Sequence, residues 1–306
     1  MNDIIFLVIN MKTHTIFSLL CFLFWGTADL FYKKSNNNKD KYSDLKTAII
    51  VGIVMGIYAT GYMIYKHINI FDNLIDVVKY LPVSLCYILS MYIGYKGLKY
   101  IELSISSPVQ NTSGVITSLL LLLFFKETLP TMAYYAFILI FVGIVGVSIL
   151  EKKDNKVAKL SKKTTILAIV FPIVYCLIDG LGTFLDAIYL DKFELISEDI
   201  ALIAYEYTFL IFAIIGIIYL KKKKEKITVF KEKNMWAASI LETIGQFFYV
   251  YAMSGNSTVN ASIVGSYCIL SMILSSIFLK EKLPLKKYIC LFIAIIGIVM
   301  LSILDI

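Results

Sequence analysis

Five carboxyl groups interrupt the long apolar stretches of this chain, and carboxyl groups in such surroundings can take up and release protons. They belong to Asp29, Asp179, Asp186, Glu206 and Glu242. A charged side chain inside a membrane span is costly and usually faces a cavity or a partner, so each is a functional candidate. The chemistry that they predict is proton transfer coupled to movement of a solute. The alternative is that a neighbouring tyrosine or hydroxyl group satisfies each acid, which then only helps the helices associate.

Depth along the spans distinguishes these acids. At 1.5 Å per residue, Asp179 lies about 21 Å from the cytoplasmic end of its span and Glu206 about 9 Å below the outer face. They therefore share a level in a hydrocarbon core about 30 Å thick, and on consecutive helices they could share one proton. Glu242, about 10 Å from the cytoplasmic face, could be an inner relay. Asp29 is expected near the inner face, where lysines offer a salt bridge. Asp186 is expected near the outer boundary, where it lines the mouth or is solvated.

Aromatic and amide side chains on the same spans could contact a substrate. These candidates are Trp25, Tyr92, Tyr175, Tyr205, Tyr249 and Gln246. Trp25 or a tyrosine could form a cation–π contact with an amino group, and Gln246 could extend the polar stripe of Glu242 four residues earlier. Asn111 belongs to a polar segment of the fourth span that contains Pro108. An interrupted helix beside a cavity is where transporters bind ligands, although packing of small residues explains this segment equally well.

The elements that must position these residues are membrane helices. The chain is 59% hydrophobic and only 17% charged, which excludes an ordinary soluble domain. Continuously apolar runs of about 20 residues predict helices that span a bilayer, and they exclude the alternating strands of a membrane barrel. The sequence predicts an all-α membrane protein with ten transmembrane helices. The predicted spans are 15–32, 45–65, 78–98, 104–125, 131–150, 165–190, 200–220, 235–253, 257–279 and 287–304.

The lysines predict how these spans are oriented. All 29 basic residues are lysine, and 24 of them lie in or beside the connections 1–2, 3–4, 5–6, 7–8 and 9–10. The positive-inside rule makes this side cytoplasmic and places both termini outside. The net charge of +7 is therefore explained by topology and needs no nucleic acid. The AT-rich codon usage implied by this composition indicates a bacterium, so the predicted location is a bacterial cytoplasmic membrane.

An internal repeat divides the chain into two halves. At an offset of 154 residues, 13 of the 31 residues from Leu120 to Leu150 are identical to their counterparts. We expect a first five-helix repeat at 12–150, a basic linker at 151–163 and a second repeat at 164–304. Because five is odd, the second repeat enters the membrane from the opposite face, so the repeats are inverted. Duplicated membrane units are typical of secondary transporters, with the substrate site between the halves.

The repeated motifs resemble a known superfamily. The first half contains Tyr95-x-Gly97-Leu98-Lys99-Tyr100, then Lys126-Glu127-x-Leu129 and Gly143, and the second contains Tyr249-x-Tyr251-Ala252, Lys280-Glu281-x-Leu283 and Gly297. This pattern is similar to the repeat unit of the EamA-type drug/metabolite transporters. The resemblance implies a cavity between the halves, lined chiefly by spans other than the fifth and tenth, and proton-driven export of small metabolites. Many members keep their termini in the cytoplasm, whereas the lysines here favour the reverse.

The predicted function is therefore secondary, proton-coupled export of amino-acid-like or drug-like compounds. The cavity should be negative or neutral, because no lysine lies deep in a span, and this suits cationic, zwitterionic or neutral substrates. Sugar uptake, lipid-carrier translocation and a non-transporting membrane role remain open. No catalytic motif is present, so an enzyme is not expected. The five scattered cysteines predict no disulfide, metal or cofactor. The expected partners are a small-molecule substrate, protons and lipid, and the chain is expected to act as a monomer.

Overall fold

The computed structural model describes residues 2–35, 40–97, 112–126, 128–153, 162–225, 232–280 and 284–304. Within these ranges the protein is all helical. The helices are α1 (Asn2–Ser35), α2 (Ser43–Tyr65), α3 (Leu74–Gly97), α4 (Thr112–Phe125), α5 (Thr131–Lys153), α6 (Lys162–Ala187), α7 (Glu198–Lys222), α8 (Lys233–Met253), α9 (Ser257–Gly265), α10 (Cys268–Phe278) and α11 (Leu285–Leu304).

Several of these helices are membrane spans by length and composition, so this is a multi-pass membrane protein. In the described ranges six stretches are long and apolar enough to cross a bilayer: Thr13–Ser35, Ser43–Tyr65, Leu74–Gly97, Val170–Lys192, Glu198–Lys222 and Ser257–Phe278. Two shorter apolar helices cover Thr112–Phe125 and Thr131–Gly146. The membrane architecture is confirmed, whereas the count of ten spans stays a prediction. The predicted ninth span is broken into α9 and α10 by a turn at Ser266 and Tyr267.

The helices pair between the two halves of the chain rather than within them. In the described residues each helix of the first half packs most extensively on one helix of the second: α1 on α8, α2 on α7, α3 on α6, α4 on α9 and α5 on α11. In the two repeats α1 is equivalent to α6 and α3 is equivalent to α8. Replacing each helix by its equivalent converts the α1–α8 pair into the α6–α3 pair, and it converts each of the other three pairs into itself. The packing therefore has the pattern of a two-fold relation between the halves.

Glycines make the two-fold pattern visible at the α5–α11 crossing. A Cβ added to Gly143 would lie 2.7 Å from the carbonyl oxygen of Cys290, and one added to Gly297 would lie 2.7 Å from that of Ala136. Cys290 and Ala136 are themselves equivalent at the 154-residue offset of the repeat. Only glycine permits such close backbone approach, so each half supplies one small residue to the crossing.

The α2–α7 crossing repeats this arrangement. A Cβ on Gly52 would lie 2.2 Å from the carbonyl oxygen of Phe209, and a Cβ on Gly216 would lie 3.1 Å from Leu45 Cδ1. Both pairs relate the halves by 164 residues, an offset that sequence identity did not reveal. These crossings hold α2 and α7 close together beside the centre of the molecule.

The two ends of the bundle differ in charge. The lysine-rich face contains the C-terminal ends of α1, α3 and α7 and the N-terminal ends of α2 and α8, including Lys33, Lys34, Lys221 and Lys222. The lysine-poor face contains the opposite ends of these helices, around Tyr65, Glu198 and Met253. Hydrogen bonds join α1, α2, α7 and α8 at the lysine-poor face. The acids and aromatic residues singled out in the sequence lie between these two faces.

Candidate functional site

A cavity lies at the centre of the bundle, between the two halves. Both halves line it, and three of its residues carry carboxyl groups: Asp29 of α1, Asp179 of α6 and Glu242 of α8. Its wall is otherwise largely aromatic, from Trp25, Tyr32, Tyr87, Tyr95, Tyr175, Tyr205, Tyr249 and Tyr267. About 60 Å³ of this space is open to the centres of water molecules, which is room for a few waters but less than a drug-sized molecule needs. In this conformation, a larger solute requires the cavity to widen.

Two of the cavity acids are held in equivalent ways. Asp179 accepts a hydrogen bond of 2.7 Å from the Oγ of Ser113 in α4, and Asp29 accepts one of 2.7 Å from the Oγ of Ser271 in α10. Each acid thus bonds a serine from the other half of the chain. Asp179 also accepts a longer bond of 3.3 Å from Ser90. In the sequence an aromatic residue precedes each acid by four positions, Trp25 before Asp29 and Tyr175 before Asp179, and the two serine contacts relate the same acids in the structure.

Trp25 is fixed in the cavity wall by one hydrogen bond, two ring contacts and close packing on Gly245. Its indole Nε1 donates to the backbone carbonyl of Glu242 at 3.2 Å, and a Cβ on Gly245 would lie 2.3 Å from the indole Cδ1. The indole stacks on Tyr249 with centroids 5.0 Å apart and meets Tyr267 edge-on at 5.7 Å. Because Gly245 leaves room for the ring, α1 and α8 approach closely and keep Trp25 beside Glu242.

Asp186 is not at the solvated boundary that its depth predicted. It is fully buried and accepts hydrogen bonds from the hydroxyls of Tyr80 and Tyr87. The Tyr87 hydroxyl also bonds the hydroxyl of Tyr249. Counting along the helix gave a depth near the membrane surface, but α3 covers this side of α6. The tyrosines form a polar layer beside the cavity on the side of the lysine-poor face.

A second layer of hydrogen bonds joins the helices at the lysine-poor face, and the sequence did not predict it. Asp199 accepts from the hydroxyl of Tyr62 at 2.6 Å and from the hydroxyl of Tyr251, while these two hydroxyls lie 2.7 Å apart. Lys66 forms an exposed ion pair of 3.5 Å with the same carboxylate. The Tyr62 hydroxyl and the Asp199 charge raise the pKa of Lys66. The contacts join α2, α7 and α8.

Three of the remaining predicted residues are not among those that line this cavity. Glu206 is fully buried between the halves, and neither of its carboxyl oxygens has a hydrogen-bond partner among the described residues. Gln246 is also buried, and neither the nitrogen nor the oxygen of its side-chain amide has a hydrogen-bond partner among the described residues. Tyr92 lines a separate pocket near the lysine-rich face, beside Asp44 and Lys96. Asn111 lies outside the described residues.

The predicted residues thus fall into two groups. The structure brings together Trp25, Asp29, Asp179, Glu242 and Tyr249, and with them Tyr175 and Tyr205. It does not bring Glu206, Gln246 or Tyr92 to the same wall. In the described ranges no three histidine, cysteine or acidic side chains are grouped as a metal site would need.

Comparisons with known proteins give one family and one shared fold. The model of the EamA-like transporter family matches the chain twice, over residues 13–149 and 166–303. A solved structure described as "Crystal structure of protein" is similar with a TM-score of 0.66 and 11% identity, over 95% of this chain and 98% of the other. At this identity the likeness shows the fold alone. A search of curated proteins found no match.

Proposed function

The chain belongs to the EamA-like transporter family, and on that premise we propose that it is a proton-coupled exporter of small amino-acid-like or drug-like compounds. The match confirms the resemblance that the repeated motifs gave. The proposal includes ten spans in two inverted repeats and acidic residues that exchange the driving proton. It also includes a bacterial cytoplasmic membrane, with the lysine-rich face in the cytoplasm.

The observation that carries this proposal is the acidic cavity shared by both halves. Asp29 and Asp179 each bond a serine of the other half, so a rocking motion of one half against the other would change the surroundings of both acids. Transporters built from inverted repeats move in this way around a central site. A carboxyl group whose surroundings alternate between the two faces can load a proton at one face and release it at the other.

The closed lysine-poor face supports the same mechanism. Two tyrosine–carboxylate layers, at Asp186 and at Asp199, lie between the cavity and that face. Hydrogen bonds of this kind can break and re-form as helices separate, whereas the glycine crossings of α2 with α7 and of α5 with α11 keep their helices close. We therefore propose that export opens these two layers while the crossings act as pivots.

The test uses the full chain in proteoliposomes with a pH-sensitive dye inside. With a proton gradient imposed, addition of phenylalanine or of 2-phenylethylamine should produce solute-dependent proton flux. Asp179→Asn should abolish accumulation against a gradient but leave exchange of solute for solute. Asp76→Asn, an exposed acid that pairs with Lys79, removes the same charge and should behave as wild type. Solute movement that ignores the proton gradient would overturn the coupling, and glucose accumulation alone would indicate a sugar porter.

Glu206 is examined in the same assay. If Asp179 and Glu206 share one proton, as their depth predicts, Glu206→Gln should abolish accumulation as completely as Asp179→Asn does. If the proton stays within the cavity, only the cavity variant should lose accumulation. Glu242→Gln should slow the proton step, because Glu242 lines the cavity but lies nearer the lysine-rich face.

A further inference from the structure

Building on the transport function proposed above, we propose that the cavity selects organic monocations. An ammonium group of the solute would pair with the Glu242 carboxylate, and its hydrocarbon part would lie against the aromatic wall around Trp25. The family match does not specify this substrate class. The charges, the hydrogen-bond partners and the rings of the cavity point to it.

Charge favours a cation. Three carboxyl groups line the cavity, and none of its described lining residues is a lysine. A buried acid needs a compensating partner, and an anionic solute would add repulsion to the cost of burial. A solute with one positive charge and no negative charge compensates one acid without adding another.

Glu242 is the cavity acid that is free to pair with such a solute. Asp29 and Asp179 already accept hydrogen bonds from serines. In the part of the chain that the structure describes, no hydrogen bond reaches the Glu242 carboxylate, although the side chain is only 7% exposed. An unpartnered acid that is buried and faces a cavity is a site at which a donor from the solute would be strongly favoured.

The repeat shows that Glu242 is an addition to the two-fold pattern. The offset of 154 that relates Tyr95 to Tyr249 relates Glu242 to Ile88. Asp29 and Asp179 occur as an equivalent pair, each with its serine, whereas Glu242 has an apolar counterpart. Glu242 is thus an acid of one half only, and among the three cavity acids it is the one whose carboxylate receives no hydrogen bond from the described residues.

The aromatic wall complements a cation. Trp25 stacks on Tyr249 at 5.0 Å and meets Tyr267 at 5.7 Å, and its bond to the backbone carbonyl of Glu242 holds the ring against the helix that carries this acid. Rigid aromatic faces attract ammonium groups, and the attraction is larger when water is excluded. Once the cavity has widened to admit a solute, it therefore offers one carboxylate and a set of aromatic rings to that solute.

The experiment compares three probes of similar shape and different charge. These are 2-phenylethylamine, the neutral 2-phenylethanol and the anion phenylacetate. Equilibrium binding to the purified chain is followed by fluorescence in a Trp236→Phe background, where Trp25 is the remaining tryptophan. The amine should bind at least tenfold more tightly than the alcohol, and phenylacetate should not bind. If the amine and the alcohol bind equally well, or if phenylacetate binds more tightly than the amine, the proposal is wrong. This comparison needs no substitution at Glu242.

Variants then locate the contact. Glu242→Gln should weaken amine binding at least tenfold and leave binding of the alcohol unchanged, while Glu242→Asp should retain part of the preference. The control Asp76→Asn should leave all three affinities unchanged. A folded Glu242→Gln protein that keeps the full preference for the amine would contradict the assignment of Glu242.

The outcome is separable from the transport proposal. If the amine binds but no proton-coupled flux is observed, the proposed cation site is supported and the proposed transport mechanism is rejected. The reverse result is also possible: phenylalanine or another solute drives proton-coupled flux, and 2-phenylethylamine does not compete with it. That result would support the proposed transport function and reject the proposal that the cavity selects cations.

Discussion

Replacing Gly52 with alanine tests the idea that α2 and α7 form a fixed crossing. The new Cβ would lie 2.2 Å from the carbonyl oxygen of Phe209 and 2.8 Å from the Cβ of Ala213. Carbon–oxygen contacts between helices normally measure about 3.3–3.6 Å, so the helices must separate by roughly 1 Å. The obstructing atom belongs to the backbone, and a change of rotamer cannot relieve the overlap.

The separation of α2 from α7 determines how much stability the Gly52→Ala variant loses. A radial gap of about 0.5–1 Å forfeits a quarter to a half of each dispersion contact along the crossing, and overpacking of this kind costs about 1–3 kcal/mol. The better helix propensity of alanine returns about 0.5–1 kcal/mol. We therefore expect Gly52→Ala to lower the free energy of unfolding by about 1 kcal/mol, within a range of about 0–2.5 kcal/mol.

Gly61 of the same helix is the matched control. Nothing lies within 4 Å of a Cβ at Gly61, so Gly61→Ala should raise stability by about 0.5–1 kcal/mol. Gly216→Ala should fall between the two, since the atoms it meets at 3.0–3.2 Å are side-chain carbons of Ile49 and Leu45 that can turn away. The measurement is unfolding in mixed micelles with increasing dodecyl sulfate. Equal stability of the Gly52 and Gly61 variants would refute the fixed crossing.

Three further predictions follow from the polar residues. Glu206→Met should raise stability by about 1–3 kcal/mol, because it removes a buried carboxyl that has no partner in the described chain; a lower unfolding midpoint would show that the carboxyl does have one. Asp199→Asn should weaken the lysine-poor closure and speed maleimide labelling of Ser254→Cys from that face, and an unchanged rate would reject the closure. A reporter cysteine in the 36–40 loop should be labelled only from the cytoplasm, and labelling from outside would reverse the predicted topology.

The cavity acids could be predicted because their surroundings in the sequence are apolar. Asp179 and Glu242 stand inside runs long enough to cross a bilayer, where a carboxyl is conspicuous. The same reasoning could not place Glu206 relative to the cavity, because 1.5 Å per residue gives the depth of a residue and not the direction in which it points. Asp179 and Glu206 share a level by this measure, but only Asp179 lines the cavity.

The closure at Asp199 could not be predicted for a different reason. At the start of a helix, an acid is explained by the helix dipole and by solvation, so nothing singles it out. Its partners Tyr62 and Tyr251 lie 137 and 52 residues away in the chain. Part of the repeat could not be predicted either. It is visible in the sequence where 13 of 31 residues are identical at an offset of 154. Gly52 and Gly216 are related by an offset of 164, and their equivalence is seen only in the packing of α2 on α7.

The pairing of helices between the halves has a consequence for biosynthesis. Each helix of the first half finds its most extensive partner in the second half, which the ribosome makes later. When α5 leaves the ribosome, the glycine faces of Gly52 and Gly143 still lack the helices on which they pack. The early helices must therefore remain in the lipid as loosely associated segments until their partners are inserted. Assembly is then a late, cooperative event. If the chain is interrupted in the linker, the helices of each fragment should pack more extensively on the other fragment than on one another.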